Sequence, residues 1–81
     1  MNKPRVITQI VADTLTAEKA VRRITFDSLA EATGISLSQL KRYFKGTRSM
    51  TTDDFEGICD ALGLDPFEVF AEASRRRKRN S

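Results

Sequence analysis

The sequence predicts an all-α domain of five helices, on three observations. Apolar residues recur at three- and four-residue spacing along most of the chain. Capping residues and helix-stopping glycines punctuate that pattern, and no period-two alternation suggests a strand. A chain of 81 residues makes one domain. At this size it buries only ~60% of its unfolded surface, so its core must be compact.

The first helix opens near Pro4, whose missing N–H is not needed there, and runs to about Val21 or Arg23. Its apolar stripe is Ile7, Ile10, Val11, Thr14 and Leu15. Ala17 to Arg23 contains neither glycine nor proline, so Thr16 could cap a separate short helix; we read one continuous helix. Thr25 caps a second helix over 26–33, with Asp27 favouring its positive end. Gly34 takes the left-handed conformation that a sharp turn requires. Ser36 caps a third helix over 37–45, which Gly46 ends.

Thr51 and Asp54 resemble a capping box with Asp in place of Glu. The helix behind them covers 52–62, with Phe55, Ile58, Cys59 and Leu62 as its stripe and Gly63 as its stop. Asp65, Pro66 and Glu68 open a fifth helix, expected to bury Phe67, Phe70 and Ala71 and to fray between Ser74 and Arg79. The chain therefore divides into a folded domain, 1–74, and a basic tail, 75–81, expected to be disordered because it lacks apolar residues.

Helices two and three, with the tight turn between them, form a helix-turn-helix. Ala30 is small where the two helices cross, and Leu29, Ile35, Leu40 and Tyr43 lock the pair onto the core. That motif points to double-stranded DNA, because the major groove admits one helix and meets its first two turns. The candidate base readers are then Leu37, Ser38, Gln39, Lys41 and Arg42. Arg42 lies one turn beyond Ser38 and can grip a guanine through two hydrogen bonds. Ser38 donates or accepts, and Gln39 can pair with adenine or turn toward phosphates. Thr25, Ser36, Lys45, Thr47 and Arg48 sit at helix ends or in the following loop, where phosphates pass. Tyr43, Phe44 and Cys59 read as core side chains.

Charge placement supports the same reading. Residues 1–74 hold nine basic and eleven acidic side chains, a balance of −2, and residues 75–79 add +5. Lys41, Arg42, Lys45 and Arg48 nevertheless cluster beside the third helix, while Asp53, Asp54, Glu56 and Asp60 are expected to lie away from DNA. Arg75, Arg76, Arg77, Lys78 and Arg79 are candidate tail contacts to the DNA backbone or minor groove. With no histidine and one cysteine, neither a metal cage nor the commonest general base is available. We therefore expect a non-enzyme without cofactor or metal. No signal peptide or apolar run of ~18 residues is visible, so the expected location is cytoplasmic, on the nucleoid when bound.

From Ile24 to about Val69 the chain resembles the Cro/C1-type (lambda-repressor-like, XRE) family. The markers are Thr25, Leu29-Ala30, Gly34-Ile35-Ser36, Leu40, Gly46 and Ala61-Leu62-Gly63-Leu64. Departures occur at Phe26, where the family often has a phosphate-contacting Gln, at Leu37, often Gln or Arg, and at Met50, often Pro. Leu37 offers only apolar contact, for example to a thymine methyl. The resemblance implies a compact five-helix lambda-repressor-like fold and a transcription regulator, a repressor of phage or mobile-element type, that binds operators as a dimer. Half-sites about 34 Å apart suit a homodimer, with Val69 and its neighbours as expected contacts. The alternatives are a protein-interaction module such as an antitoxin-like partner, and an RNA binder using the basic tail.

Overall fold

The computed structural model describes residues 6–80, with side chains up to residue 78. The expected opening at Pro4 and the side chain of Arg79 lie outside the described residues. The chain forms α1 (Val6–Arg22), α2 (Phe26–Thr33), α3 (Leu37–Lys45), α4 (Thr52–Leu62) and α5 (Pro66–Asn80). α1 packs on α3, α4 and α5, α2 on α3 and α4, and α4 on α5. The radius of gyration, 12.0 Å, matches the value of about 12 Å for a compact chain of this length.

α1 is continuous, and Thr16 does not interrupt it. The Thr16 hydroxyl donates back to the Ala12 carbonyl at 2.8 Å and reaches the Phe44 carbonyl at 3.2 Å, so it joins helices rather than capping one. The helix ends without glycine. Arg23 takes φ 56°, its N–H donates to Ala20 O at 3.1 Å, and the Ile24 N–H donates to Lys19 O at 3.2 Å. This is the left-handed closure that glycine usually provides, here made by an arginine.

The expected caps all form. Thr25, Ser36 and Thr51 accept from the amides of Ser28, Gln39 and Asp54, and Asp65 accepts from Phe67 N–H. These caps hold short helices that would be marginal alone in water. Leu15, Leu29, Leu40, Tyr43, Ile58 and Cys59 fill the interior around them, with Ile10, Phe44 and Leu62 completing the cluster. Burial and the nearby Asp60 and Asp65 push the Cys59 thiol up from its usual 9.0 to about 11, which keeps it protonated and inert.

α5 departs from expectation in two ways. Its buried residues are Val69 and Ala73, whereas Phe67 is 85% exposed, Phe70 is 55% exposed, and Ala71 is also exposed. Each residue advances about 100° around a helix, so Val69 and Ala73 share a face that Phe67 and Ala71 oppose. Ala73 is fully inaccessible, as befits a small residue on the face by which α5 packs on α1 and α4. Val69 is therefore a core residue, unavailable as the expected dimer contact.

The second departure is the tail, which does not fray but continues α5 as helix to Asn80. Glu72 holds Arg75 at 2.8 Å and Arg76 at 3.5 Å, and Arg76 Nη1 donates to Thr14 Oγ1 at 3.2 Å. Thr14 in turn donates to Ile10 O at 2.8 Å. A basic run without apolar residues is thus ordered by ion pairs and by docking on α1, two contacts that composition does not reveal.

Candidate nucleic-acid interface

The site is built on the α2 to α3 turn. Gly34 has φ 75°, and its N–H closes α2 on Ala30 O at 2.9 Å. Thr33 Oγ1 donates to Leu29 O at 2.7 Å and accepts from Ile35 N–H at 3.2 Å, so it braces the turn. Thr33 has no sequence signal beyond its place beside Gly34.

The core face of α3 is fixed by Leu40, Tyr43 and Phe44, all buried. Ser38, Lys41, Arg42 and Lys45 are exposed, and Leu37 is 38% exposed. Among the described residues no side chain pairs with Lys41, Arg42 or Lys45. These cations share the open face with Ser38, while Thr47 and Arg48 continue the exposed surface into the next loop. Thr25 and Ser36 are exposed at the starts of α2 and α3. Because each hydroxyl accepts the cap hydrogen bond, its own proton remains to donate to a phosphate. Thr47 instead uses its proton on the Arg42 carbonyl, at 3.2 Å.

The far end of α3 is held by α1. Gln9 Nε2 donates to Gly46 O at 2.9 Å, and Thr16 reaches Phe44 O, so two terminal carbonyls gain partners. Gln9 and Thr16 therefore position α3. Neither was expected to, because no local spacing rule links residues so far apart.

Gln39 differs from its neighbours. It is half-buried, and its Nε2 donates to Tyr43 Oη at 3.2 Å, which donates to Asp54 Oδ2 at 2.5 Å. Asp54, expected to lie away from the reading surface, is thus bound to α3. The cause is the Thr51 cap, which places Asp54 in the first turn of α4, close to α3. Burial chiefly, then the hydrogen bond and charge of Asp54, raise the Tyr43 pKa above its usual value, opposed by Gln39 and Arg48.

Phe26, at a position the family often fills with a polar residue, is a packing residue. Its ring meets Phe44 edge-on with centroids 5.3 Å apart, and Lys19 Nζ lies 4.2 Å from its centroid. It thereby ties α1, α2 and α3 together. The basic run of α5 is placed elsewhere: α5 packs on α1 and α4, with no packing on α2 or α3. The structure therefore does not gather Arg75, Arg76, Arg77 and Lys78 with the α3 cations.

No curated protein matches the chain. Two crystal structures of the clp gene regulator ClgR from Corynebacterium glutamicum are similar in fold. One has a TM-score of 0.80 at 24% identity, covering 89% of this chain and 94% of that one. The other has a TM-score of 0.85 at 22% identity, covering 95% and 82%. A family model for the Cro/C1-type HTH DNA-binding domain matches residues 19–71, over half the chain and including the whole helix-turn-helix. The chain belongs to the family of Cro/C1-type helix-turn-helix DNA-binding domains.

Proposed function

We propose that this protein is a sequence-specific transcription regulator, a repressor of phage or mobile-element type, that reads the major groove of operator DNA with α3. The observation that carries this reading is the open face of α3: Ser38, Lys41, Arg42 and Lys45 are exposed on a helix whose opposite face is locked by Leu40, Tyr43 and Phe44. Arg42 and Ser38 lead the base contacts, with Leu37, Gln39 and Lys41 beside them. Thr25, Ser36, Lys45 and Arg48 hold the backbone, while Thr47, whose hydroxyl donates to the Arg42 carbonyl, fixes the loop beside them. The similar fold of a gene regulator supports a regulatory role. Five contiguous cations at residues 75–79 strengthen encounter through their field.

Selection from random duplex DNA at physiological salt tests the proposal. The intact protein is expected to enrich one motif, and Arg42→Ala to lose preference at a single base position, worth about 1 to 3 kcal/mol. Four to six neutralised phosphates per monomer give a log–log salt slope of roughly −4 to −5. No enriched motif, or a much shallower slope, refutes sequence-specific binding.

The same proposal includes a homodimer on two half-sites. Val69 is buried, and α5 instead exposes Phe67 and Phe70, beside a groove of about 460 Å³ that Ile7, Val11, Met50 and Phe55 also line. A two-fold axis would let each copy cover the other's groove. Phe67→Ser is expected to leave folding intact and shift sedimentation on operator DNA from two bound copies toward one. Unchanged stoichiometry moves the dimer contact elsewhere.

A further inference from the structure

Glutamine is an ambidextrous reader. Its amide can present oxygen or nitrogen to a base, and a freely rotating amide discriminates poorly between bases that donate and bases that accept. Gln39 is not free in this respect. The Asp54 carboxylate can only accept, so the Tyr43 hydroxyl must spend its one proton on Asp54 Oδ2. What Tyr43 Oη has left is a lone pair, and Gln39 meets it at 3.2 Å with its amide nitrogen. The direction of the relay follows from Asp54 and does not depend on how the amide is drawn. Reversing the amide would set Gln39 Oε1 against Tyr43 Oη, two acceptors with no hydrogen between them.

The opposite end of the amide is accessible. Among the described residues no buried side-chain nitrogen or oxygen lacks a partner, and Gln39 Oε1 makes no hydrogen bond, so Oε1 reaches solvent. Gln39 lies in the first turns of α3, directly after Leu37 and Ser38.

We propose that the Asp54–Tyr43–Gln39 relay fixes Gln39 as an acceptor-outward reader, selecting a base that offers an amino group in the major groove. This rests on the reading of α3 as the recognition helix. Adenine N6 and cytosine N4 meet the requirement, whereas guanine O6 and N7 and thymine O4 are acceptors and face an acceptor. Tyr43 and Asp54 act as positioning residues that never touch DNA.

The test repeats the duplex selection with Gln39→Ala, Tyr43→Phe and Asp54→Asn. The intact protein is expected to favour adenine or cytosine at one position, and Gln39→Ala to lose that preference. Tyr43→Phe keeps the packed ring but frees the amide, so guanine or thymine enters at that position and discrimination falls roughly tenfold. Asp54→Asn gives the same relaxation without disturbing the ring, because an amide partner lets the relay run in either direction. Relaxation at one position, with the rest of the motif retained, separates positioning from a general loss of structure. Unchanged preference in a folded Tyr43→Phe or Asp54→Asn variant, or an intact motif in Gln39→Ala, overturns the inference alone. An intact protein that enriches no motif overturns the DNA reading, and this inference with it.

Discussion

Arg23 shows how one backbone angle can hide an element boundary. Its φ of 56° makes the turn between α1 and α2 that glycine would make without strain. For a side chain with a Cβ this region costs about 1 to 2 kcal/mol. Part of that is regained because arginine has less freedom than glycine in the unfolded chain. Arg23→Gly is therefore expected to stabilise the fold by about 0.5 to 1 kcal/mol in chemical unfolding. A loss of stability would mean that the arginine side chain contributes more than its backbone strain costs. Phe26 carries a similar lesson, since packing against Phe44 and Lys19 explains a residue that family analogy leaves unexplained.

The glycines that end α2 and α3 have nearly equal angles but different surroundings. Gly34 has φ 75°, and a Cβ added there meets nothing within 4 Å. Gly46 has φ 76°, and a Cβ there comes within 3.2 Å of Gln9 Oε1 and 3.5 Å of Ala12 Cβ. Both alanine variants carry the left-handed penalty, about 1 to 2 kcal/mol. Only Gly46→Ala also presses on Gln9, whose amide caps α3. We expect Gly46→Ala to lower the unfolding midpoint more than Gly34→Ala and, if α3 reads DNA as proposed, also to weaken DNA binding by shifting the end of α3. Equal midpoints would show that Gln9 moves aside without consequence. Gly34 and Gly46 are readable from sequence as helix stops, while Gln9 is found only in the packed molecule.

Taken whole, the fold keeps two titratable groups neutral in its interior. Cys59, pushed up to about 11 from 9.0, and Tyr43, raised from 10.0, are both stabilised in their protonated forms on folding. A raised folded value gives stability that is fully present below the unfolded value and lost as pH rises through the folded one. Stability is therefore expected to hold up to about pH 9 and to decline toward pH 11, first through Cys59. Denaturant unfolding across that range checks it. Cys59→Ser should remove the earlier part of the decline, whereas an unchanged alkaline slope in that variant would assign it elsewhere.

The sequence by itself determined the five helices, because their caps, stops and apolar spacing are local signals: Thr25, Ser36 and Thr51 each bond an amide three residues on. It also determined the two faces of α3, since Leu40, Tyr43 and Phe44 lie on one side and Ser38, Lys41, Arg42 and Lys45 on the other. Tertiary structure decided what depends on neighbours far along the chain. It turned Phe67 and Phe70 outward because Val69 and Ala73 take the buried face of α5, and it extended α5 through a basic run held by Glu72 and Thr14. It also brought Asp54 to Tyr43 and so gave the Gln39 amide a direction. Short-range periodicity fixes which face of a helix is apolar, but only packing chooses the exact rotation of that helix and the partners of its polar side chains.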